Sequence, residues 1–370
     1  MRHGIVLFTS DRGIAPAELA SAAEERGFDT FYVPEHTHIP VRRDALHPTG
    51  GTELPDDRYL RTLDPWVTLG TCAAVTSRIG LSTAVALPVE SDPITLAKTI
   101  ATHDHLSDGR VSLGVGFGWN TDELAAGEVV EGSDRLGERD RVRLDRQRDR
   151  GREADPRGHR GAGAERDPGI GLSTAVALPV ESDPITLAKT IATLDHLSGG
   201  RVSLGVGFGW NTDELADHGI PGDRKRTALK EYLEAMRALW TEEEAAYHGK
   251  FVDFGPSWAY PKPPQGRIPT IVGAGGGPKT LRWIANNAEG WMSTPTESGI
   301  GDKVKTLQDE WESAGREGKP EVRVLVAKRP TPDDLAEWSI ADELIWGVPD
   351  SDPTAVLTYL DKLATRLDLR

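Results

Sequence analysis

Apolar residues along this chain fall in short runs that alternate with helical stripes, and that alternation predicts the order of elements. Residues 4–8 read as a strand, and 16–26 as a helix with Pro16 in its first turn and Leu19, Ala22 and Ala23 on one face. Residues 30–33 form the next strand, which ends in Pro34-Glu35-His36-Thr37-His38. A polar loop punctuated by Pro and Gly covers 42–59 and is too long for a simple connection. Asp64 caps a helix with Pro65 at its first position, running to about Ser77. A strand over 79–87, a helix over 93–106 and a strand from Arg110 follow.

That last strand opens the stretch RVSLGVGFGWNTDEL at 110–124, and the same letters recur at 201–215. Each copy reads as a strand, a glycine-rich turn and a helix start. Glycines there let the backbone approach a flat ligand, while Asn and Thr offer caps. The repeat is wider than this stretch: 79–125 recurs as 170–216, with only His103 against Leu194 and Asp108 against Gly199. Solenoid repeats diverge more and recur more often, so the pattern reads as a recent tandem duplication. Between the copies, 126–169 holds eleven arginines, eleven acids, no lysine and no aromatic residue. Such a composition buries too little apolar surface to offset the entropy of ordering, which predicts a disordered or weakly helical linker.

After the second copy the pattern resumes with an amphipathic helix over 224–240 and a hairpin-like insertion over 247–254. A strand over 269–273 runs into a glycine-rich turn and a helix ending at Asn287. Further strands fall at 290–294, 322–327 and 343–346, with helices near 303–313, 332–338 and 353–367. Counting one copy gives eight strands that mostly alternate with helices. Removing one 91-residue period from the 370 residues leaves a length near the ~250 of a typical barrel. The predicted fold is therefore α/β, a (β/α)8 TIM barrel forming a single domain over 1–370. A doubly wound open sheet is the alternative, and it fits less well because glycine-rich turns recur at the ends of several strands. Eight staves fix the closure of a barrel, so one copy is expected to lie outside it, and the second copy is the one expected inside. The insertion then falls on the face opposite the site, at a closure cost that grows only with the logarithm of its length.

Composition narrows the chemistry. The net charge of -15 argues against nucleic acid as a partner, because a polyanion rewards a basic surface. Cys72 is the sole cysteine, so no intrachain disulfide forms and a cytoplasmic location is expected. Its neighbours favour a buried small apolar residue over a reactive thiol. No stretch approaches the ~20 apolar residues of a membrane span, so no membrane association is expected.

Glu35 and His36 follow the second strand, where a barrel carries its active-site residues, and a histidine there exchanges protons near neutral pH. The alternative is a histidine that satisfies a nearby backbone carbonyl. His38 and His47 lack the Cys or HExxH spacing of a metal site, so no metal is expected. Gly273, Gly275, Gly276, Gly277, Pro278, Lys279 and Thr280 make a turn whose successive backbone N–H groups suit an anion, with Lys279 adding charge. It matches neither GxxxxGK[ST] nor GxGxxG, and a tight structural turn is its alternative. His196, and His105 in the first copy, precede strands at the opposite end and read as structural.

The segments FYVPEHTHIP, DPWVTLGTCAAVTSRIGLSTAVALP, DPITLAKTIATLDHLSGGRVSLGVGFGWN, YHGKFVDF, PKPPQ, VGAGGGPKTL and EGWM together resemble the luciferase-like monooxygenase superfamily. The resemblance is closest to its actinobacterial branch of oxidoreductases dependent on the deazaflavin coenzyme F420. It implies a (β/α)8 barrel that transfers a hydride between C5 of the deazaflavin and a small organic substrate, with FMN-dependent monooxygenation as the alternative. It further implies that Glu35 and His36 flank the ring, with His36 as a proton donor. Ala175 and Val176 would sit at a non-prolyl cis peptide against the ring, with Gly207, Gly209 and Asn211 lining the same pocket. The equivalents in the first copy are Ala84, Val85, Gly116, Gly118 and Asn120. The turn from Gly275 to Thr280 would take the cofactor phosphate. Trp210 stands where the sugar-phosphate dehydrogenase branch carries an acid, which counts against that substrate. Homodimers are common in the family and are implied as an assembly. A non-catalytic or misassembled flavin-binding barrel is the remaining alternative, because two identical segments compete for one place.

Overall fold

The computed structural model describes residues 3–42, 54, 57–116, 171–326, 330–348 and 352–367. The linker 126–169, most of the loop 42–59 with His47, and Gly118 and Asn120 lie outside the described residues. The chain begins β1 (Gly4–Val6), α1 (Pro16–Glu25), β2 (Thr30–Val33), β3 (Ile39–Pro40), α2 (Arg58–Arg61) and α3 (Pro65–Val75). The first repeat then supplies β4 (Gly80–Thr83), α4 (Pro93–Leu106) and β5 (Val111–Ser112). The second supplies β6 (Leu172–Ser173), α5 (Pro184–Ser198), β7 (Val202–Gly207) and the start of α6 (Thr212–Asp217). The remainder is α7 (Lys225–Thr241), β8 (Ala245–His248), β9 (Asp253–Trp258), β10 (Thr270–Gly273), α8 (Pro278–Asn287), β11 (Gly290–Met292), α9 (Ile300–Ser313), β12 (Glu321–Val326), α10 (Pro332–Trp338), β13 (Glu343–Trp346) and α11 (Pro353–Arg366).

Helix starts follow the rules read from the sequence. Asp64 accepts from the Val67 N–H at 2.8 Å, and Pro65 occupies the first helical position. Asp92 and Asp183, equivalent in the two copies, cap α4 and α5 through Thr95 and Thr186 at 2.8 and 2.7 Å. The residues over 79–87 make a shorter strand than expected: β4 ends at Thr83, the Ala84–Val85 peptide is cis, and Ala86 bridges Val115. The Ala175–Val176 peptide is cis in the same way. The hairpin-like insertion is the antiparallel pair β8 and β9, and β9 also pairs with β3, a strand that the sequence pattern did not reveal.

Two all-parallel sheets carry the rest, one ordered β1-β2-β4-β5 and the other β13-β12-β11-β10-β7-β6. In each, spatial order follows chain order without the reversal that marks a doubly wound sheet. The expectation that one copy lies outside is not met: both copies belong to sheets. Each copy offers one edge suited to β2 and another suited to β10. The first copy pairs with β2 and the second with β10, each taking the partner nearest in sequence, where loop closure costs least. The parallel sheet is thus divided into two arcs, with no ladder between them among the described residues.

Burial divides the same way. One core gathers Ala20, Phe31, Val33, Leu69 and Cys72 with Ile79, Leu81 and Ala86 of the first copy. The larger core runs from Val180 and Ile185 of the second copy through α7 to Trp291 and Trp338. Helix α5 buries eight residues, whereas α4, identical apart from His103, buries none. Burying Val180, Ile185, Leu204 and Val206 stabilises the second copy by roughly 1.5–3 kcal/mol per side chain, a contribution that their half-exposed first-copy equivalents make only in part. Cys72 is fully buried, and burial pushes its thiol up to about 12, so it is a core residue with no nucleophilic character.

The seam between the arcs is polar and partly reciprocal. Thr95 Oγ1 donates to Glu181 O at 2.9 Å, and its equivalent Thr186 Oγ1 donates to Glu90 O at 3.0 Å. Thr190 Oγ1 donates to Asp64 Oδ2 at 2.7 Å, and Thr193 Oγ1 accepts from the Asp64 N–H at 3.0 Å. His218 Nδ1 lies 3.2 Å from Asp92 Oδ2.

One of the two sequence differences sits at a backbone position that discriminates between residues. Asp108 has φ 59°, while Gly199 holds the same place in the second copy at φ 73°. A left-handed residue after a helix suits glycine and strains a side chain. Asp108→Gly is expected to stabilise the protein by about 1 kcal/mol, and Gly199→Asp to destabilise it by a similar amount. Midpoints of urea unfolding for the two variants check both signs.

Candidate functional site

The residues singled out in the sequence gather at two places, one on each arc. Beside β2, Glu35, His36, Thr37 and His38 are all buried. The Glu35 N–H donates to Val85 O at 3.1 Å, and its carboxylate accepts from the Leu87 N–H at 2.5 Å. Glu35 therefore clamps the chain on either side of Ala86 in the first copy. His36 lies against two aromatic rings, with centroids 5.9 Å from Tyr59 and 6.5 Å from Phe8. Thr37 Oγ1 donates to Glu90 Oε2 at 2.9 Å and lies 2.9 Å from His38 Nδ1, which ties His38 into a structural network. Among the described residues no cluster of three or more His, Cys, Asp or Glu is placed to hold a metal.

The second place is a cavity of about 830 Å³ at the ends of β7 and β10. Val176, Leu178 and Phe208 form an apolar wall, Gly207 and Gly209 line it, and the turn from Gly273 to Pro278 with Thr280 closes the other side. The glycines are there because Val176 needs the room. A Cβ on Gly207 would meet Val176 Cγ2 at 2.8 Å, and one on Gly273 would meet Val176 Cγ1 at 2.4 Å. Gly209 has φ 72° and packs so closely on Leu215 that a Cβ would lie 2.9 Å from it.

The turn leads into α8, whose first position is Pro278 and whose N-cap Gly277 offers no side-chain acceptor. Pro278 has no N–H and the Thr280 N–H donates to Gly277 O at 2.9 Å, so what this helix start offers an anion is chiefly the positive end of its dipole. Arg226 reinforces this end: it donates to Thr280 Oγ1 at 2.9 Å, and its guanidinium stacks 4.6 Å from the Phe208 ring centroid. Lys225 donates to Gly209 O at 2.6 Å and also lines the cavity. Glu297 holds the turn from below, accepting from the Gly276 N–H at 3.2 Å, from Thr294 Oγ1 at 3.0 Å and from Lys303. Burial pushes its carboxyl up, but these donors outweigh it and hold Glu297 below the usual carboxylate range. Trp210 stands at the rim, 89 % exposed.

Sequence and structure differ at several of these positions. Lys279, expected to supply charge, is exposed and does not line the cavity; Arg226, Lys225 and Lys303 do. Nothing in the sequence distinguished them, since they occupy polar positions of ordinary amphipathic helices. Asn211 caps α6, accepting from the Asp213 N–H at 3.1 Å, and is likewise not among the lining residues. Glu35 and His36 contact the first copy at Val85 and Leu87, whereas the cavity is built on the second at Val176 and Leu178. Residues expected in one pocket are thus held on different copies of the repeat.

Comparison with known proteins supplies the family. The luciferase-like monooxygenase family model matches residues 14–154 and 159–369, and each match contains one copy of the repeat. An uncharacterized protein of Mycobacterium tuberculosis is 47% identical over 370 residues, covering 99% of each chain. An F420-dependent glucose-6-phosphate dehydrogenase of Segniliparus rotundus is 36% identical over 151 residues, 40% of this chain and 43% of that one. An FMNH(2)-dependent dimethylsulfone monooxygenase of Pseudomonas putida is 29% identical over 187 residues, 49% of this chain and 50% of that one. The coenzyme F420-dependent tetrahydromethanopterin reductase of Methanopyrus kandleri aligns over 88% of this chain and 65% of its own, with 17% identity and a TM-score of 0.35. The two-block match spans most of the sequence, and the chain belongs to the luciferase-like monooxygenase family.

Proposed function

We propose that this protein is a coenzyme F420-dependent oxidoreductase acting on a small organic substrate. The observation that carries the reading is the cavity on the second copy, with an apolar wall at Val176 and Phe208 and an anion-binding end at α8 and Arg226. That combination fits a flat ring joined to a phosphate. When bound, the deazaflavin accepts or donates a hydride at C5, and the protein contributes orientation and exclusion of water. Val176, with room cleared by Gly207 and Gly273, would stand against the ring from one side. The positive end of α8 would face the phosphate, and Arg226, braced by Thr280 and Phe208, would add a charge-assisted donor. Glu35, which here holds Val85 and Leu87 of the first copy, would fix the equivalent backbone beside the ring position, and His36 would supply a proton to the substrate. Both residues act at this cavity once β2 stands beside the copy that forms it. Trp210 offers an apolar face at the rim in place of a carboxylate, which supports a less polar substrate than a sugar phosphate.

FMN-dependent monooxygenation is the second reading, favoured by the dimethylsulfone monooxygenase relative, whose match covers 187 residues against 151 for the Segniliparus rotundus dehydrogenase. Titration with oxidised F420 and, in parallel, FMN separates them: selective F420 binding is expected, and turnover only with reduced FMN and oxygen would overturn the assignment. In the same titration, Arg226→Ala is expected to raise the F420 Kd by about 10–100-fold, as loss of a charged hydrogen bond would. Lys279→Ala, outside the cavity, is expected to change the Kd by less than about 3-fold. With a substrate from a screen of reduced and oxidised F420, His36→Asn is expected to lower kcat by roughly 10²–10⁴-fold and leave the cofactor Kd unchanged.

A further inference from the structure

The two copies are each partnered on one side, and the sides are complementary. In the first copy the leading strand is covered: Leu81 is fully buried and Thr83 is 1 % exposed. The same copy leaves its later residues open, with Ile94 54 % and Leu113 41 % exposed. In the second copy the order is reversed. Thr174, equivalent to Thr83, is exposed, while Ile185 and Leu204, equivalent to Ile94 and Leu113, are 3 % and 1 % exposed. Together the two half-docked copies make the contacts of one fully docked copy. The apolar face left open on the first copy is the face that α7 and β10 cover on the second.

We propose that this arrangement exchanges with one in which the second copy alone completes the parallel sheet, pairing with β2 through β6 while it keeps β10. The first copy is then released. Three observations set the direction. Helix α4 has no fully buried residue, only Leu96 and Ile100 half-buried against the N-terminal core and His103 beside Trp66, whereas α5 has eight, so releasing α4 uncovers less than releasing α5. The second copy is also anchored by polar contacts: Trp240 Nε1 donates to Ala188 O at 2.9 Å, and Arg323 donates to Ser173 and Ser203 at 2.8 and 2.9 Å. Finally, the first copy carries Asp108 where the second has Gly199 at the same left-handed position. At the β2 edge itself the incoming and outgoing segments have the same sequence from Gly80 and Gly171 onward, so the pairing given up by one is restored in kind by the other. The exchange moves Glu35, which holds Val85 and Leu87, onto Val176 and Leu178, and so brings Glu35 and His36 to the cavity. It joins the two halves of the site without relying on which cofactor occupies it.

Thiol labelling of the full chain tests this, with buried Cys72 as the internal reference. Thr83→Cys introduces a thiol that is buried while the first copy is docked and exposed when it is released. The expected result is labelling of the introduced thiol at least tenfold faster than Cys72 in native buffer. Labelling no faster than Cys72 would overturn the proposal. Local fraying of β4 would also expose the introduced thiol, so the experiment is repeated with Thr174→Asp added, which puts a charge where the second copy must be buried against β2. Suppression of that labelling toward the Cys72 rate is expected, and undiminished labelling would identify fraying and refute the exchange. Urea unfolding gives a second measurement. Leu81→Asp alone is expected to cost little, and Leu81→Asp with Thr174→Asp far more than the two single changes added together. Additive losses, or a Leu81→Asp chain that does not fold, would count against it.

Discussion

Each edge of a parallel strand pairs with one neighbour, and in this protein two nearly identical segments meet two such edges. β2 offers one edge and β10 the other, and a single copy of the repeat has surfaces for both. With two copies present, each edge is filled by a different one. The division of the sheet, the two cores and the separation of the site residues all follow from that allocation. Backbone hydrogen bonding alone does not choose between copies of the same sequence. The choice falls to chain connectivity, which favours the nearer partner, and to what packs behind each copy.

The cavity on the C-terminal arc shows how few residues set a ligand site once the strands are placed. Val176 projects between Gly207 and Gly273 because neither has a side chain. Opposite this apolar contact, the start of α8 has no side-chain cap, and Arg226 is fixed beside it by a hydrogen bond and a ring. Glu297 stays ionised under the turn because Lys303, Thr294 and the Gly276 N–H together outweigh the cost of burying it. The charge here is therefore organised from three separate elements, α7, α8 and the segment before α9. Glu35 does comparable work on the other arc, where one carboxylate and one amide define the path of the chain around Ala86.

Much of the element order was legible from periodicity, since strands and helices of this chain carry unambiguous patterns and strong punctuation at Pro16, Pro65, Pro278 and Pro353. The short β3 was not, because two residues carry no period, and its pairing with β9 is a long-range contact. The glycine-rich turn was legible from its own residues, and the cis peptide at Val176 through family resemblance. The roles of Arg226, Lys303 and Glu297 were not visible, because a charged residue at a polar helix position looks the same whether it faces solvent or a cavity. Lys279 illustrates the converse: adjacency to the turn in sequence did not place it in the cavity.

The repeat separates the two kinds of information cleanly. The strands of the two copies differ in length with the partners they meet, but both copies adopt the same cis peptide, the same 3-10 turn after it, and a helix capped by Asp92 in one and Asp183 in the other. These features rest on contacts within a few residues, so identical sequence gives identical local structure. The left-handed turn after the helix is likewise shared, with Asp108 at φ 59° in one copy and Gly199 at φ 73° in the other. Burial does not follow the sequence in this way. Leu113 is exposed and Leu204 buried although their neighbours on both sides are the same. What covers a side chain comes from β10 and α7, which lie well beyond its local sequence or are absent from that edge altogether. Tertiary structure alone decided which copy joined the larger core, and with it where the cavity formed.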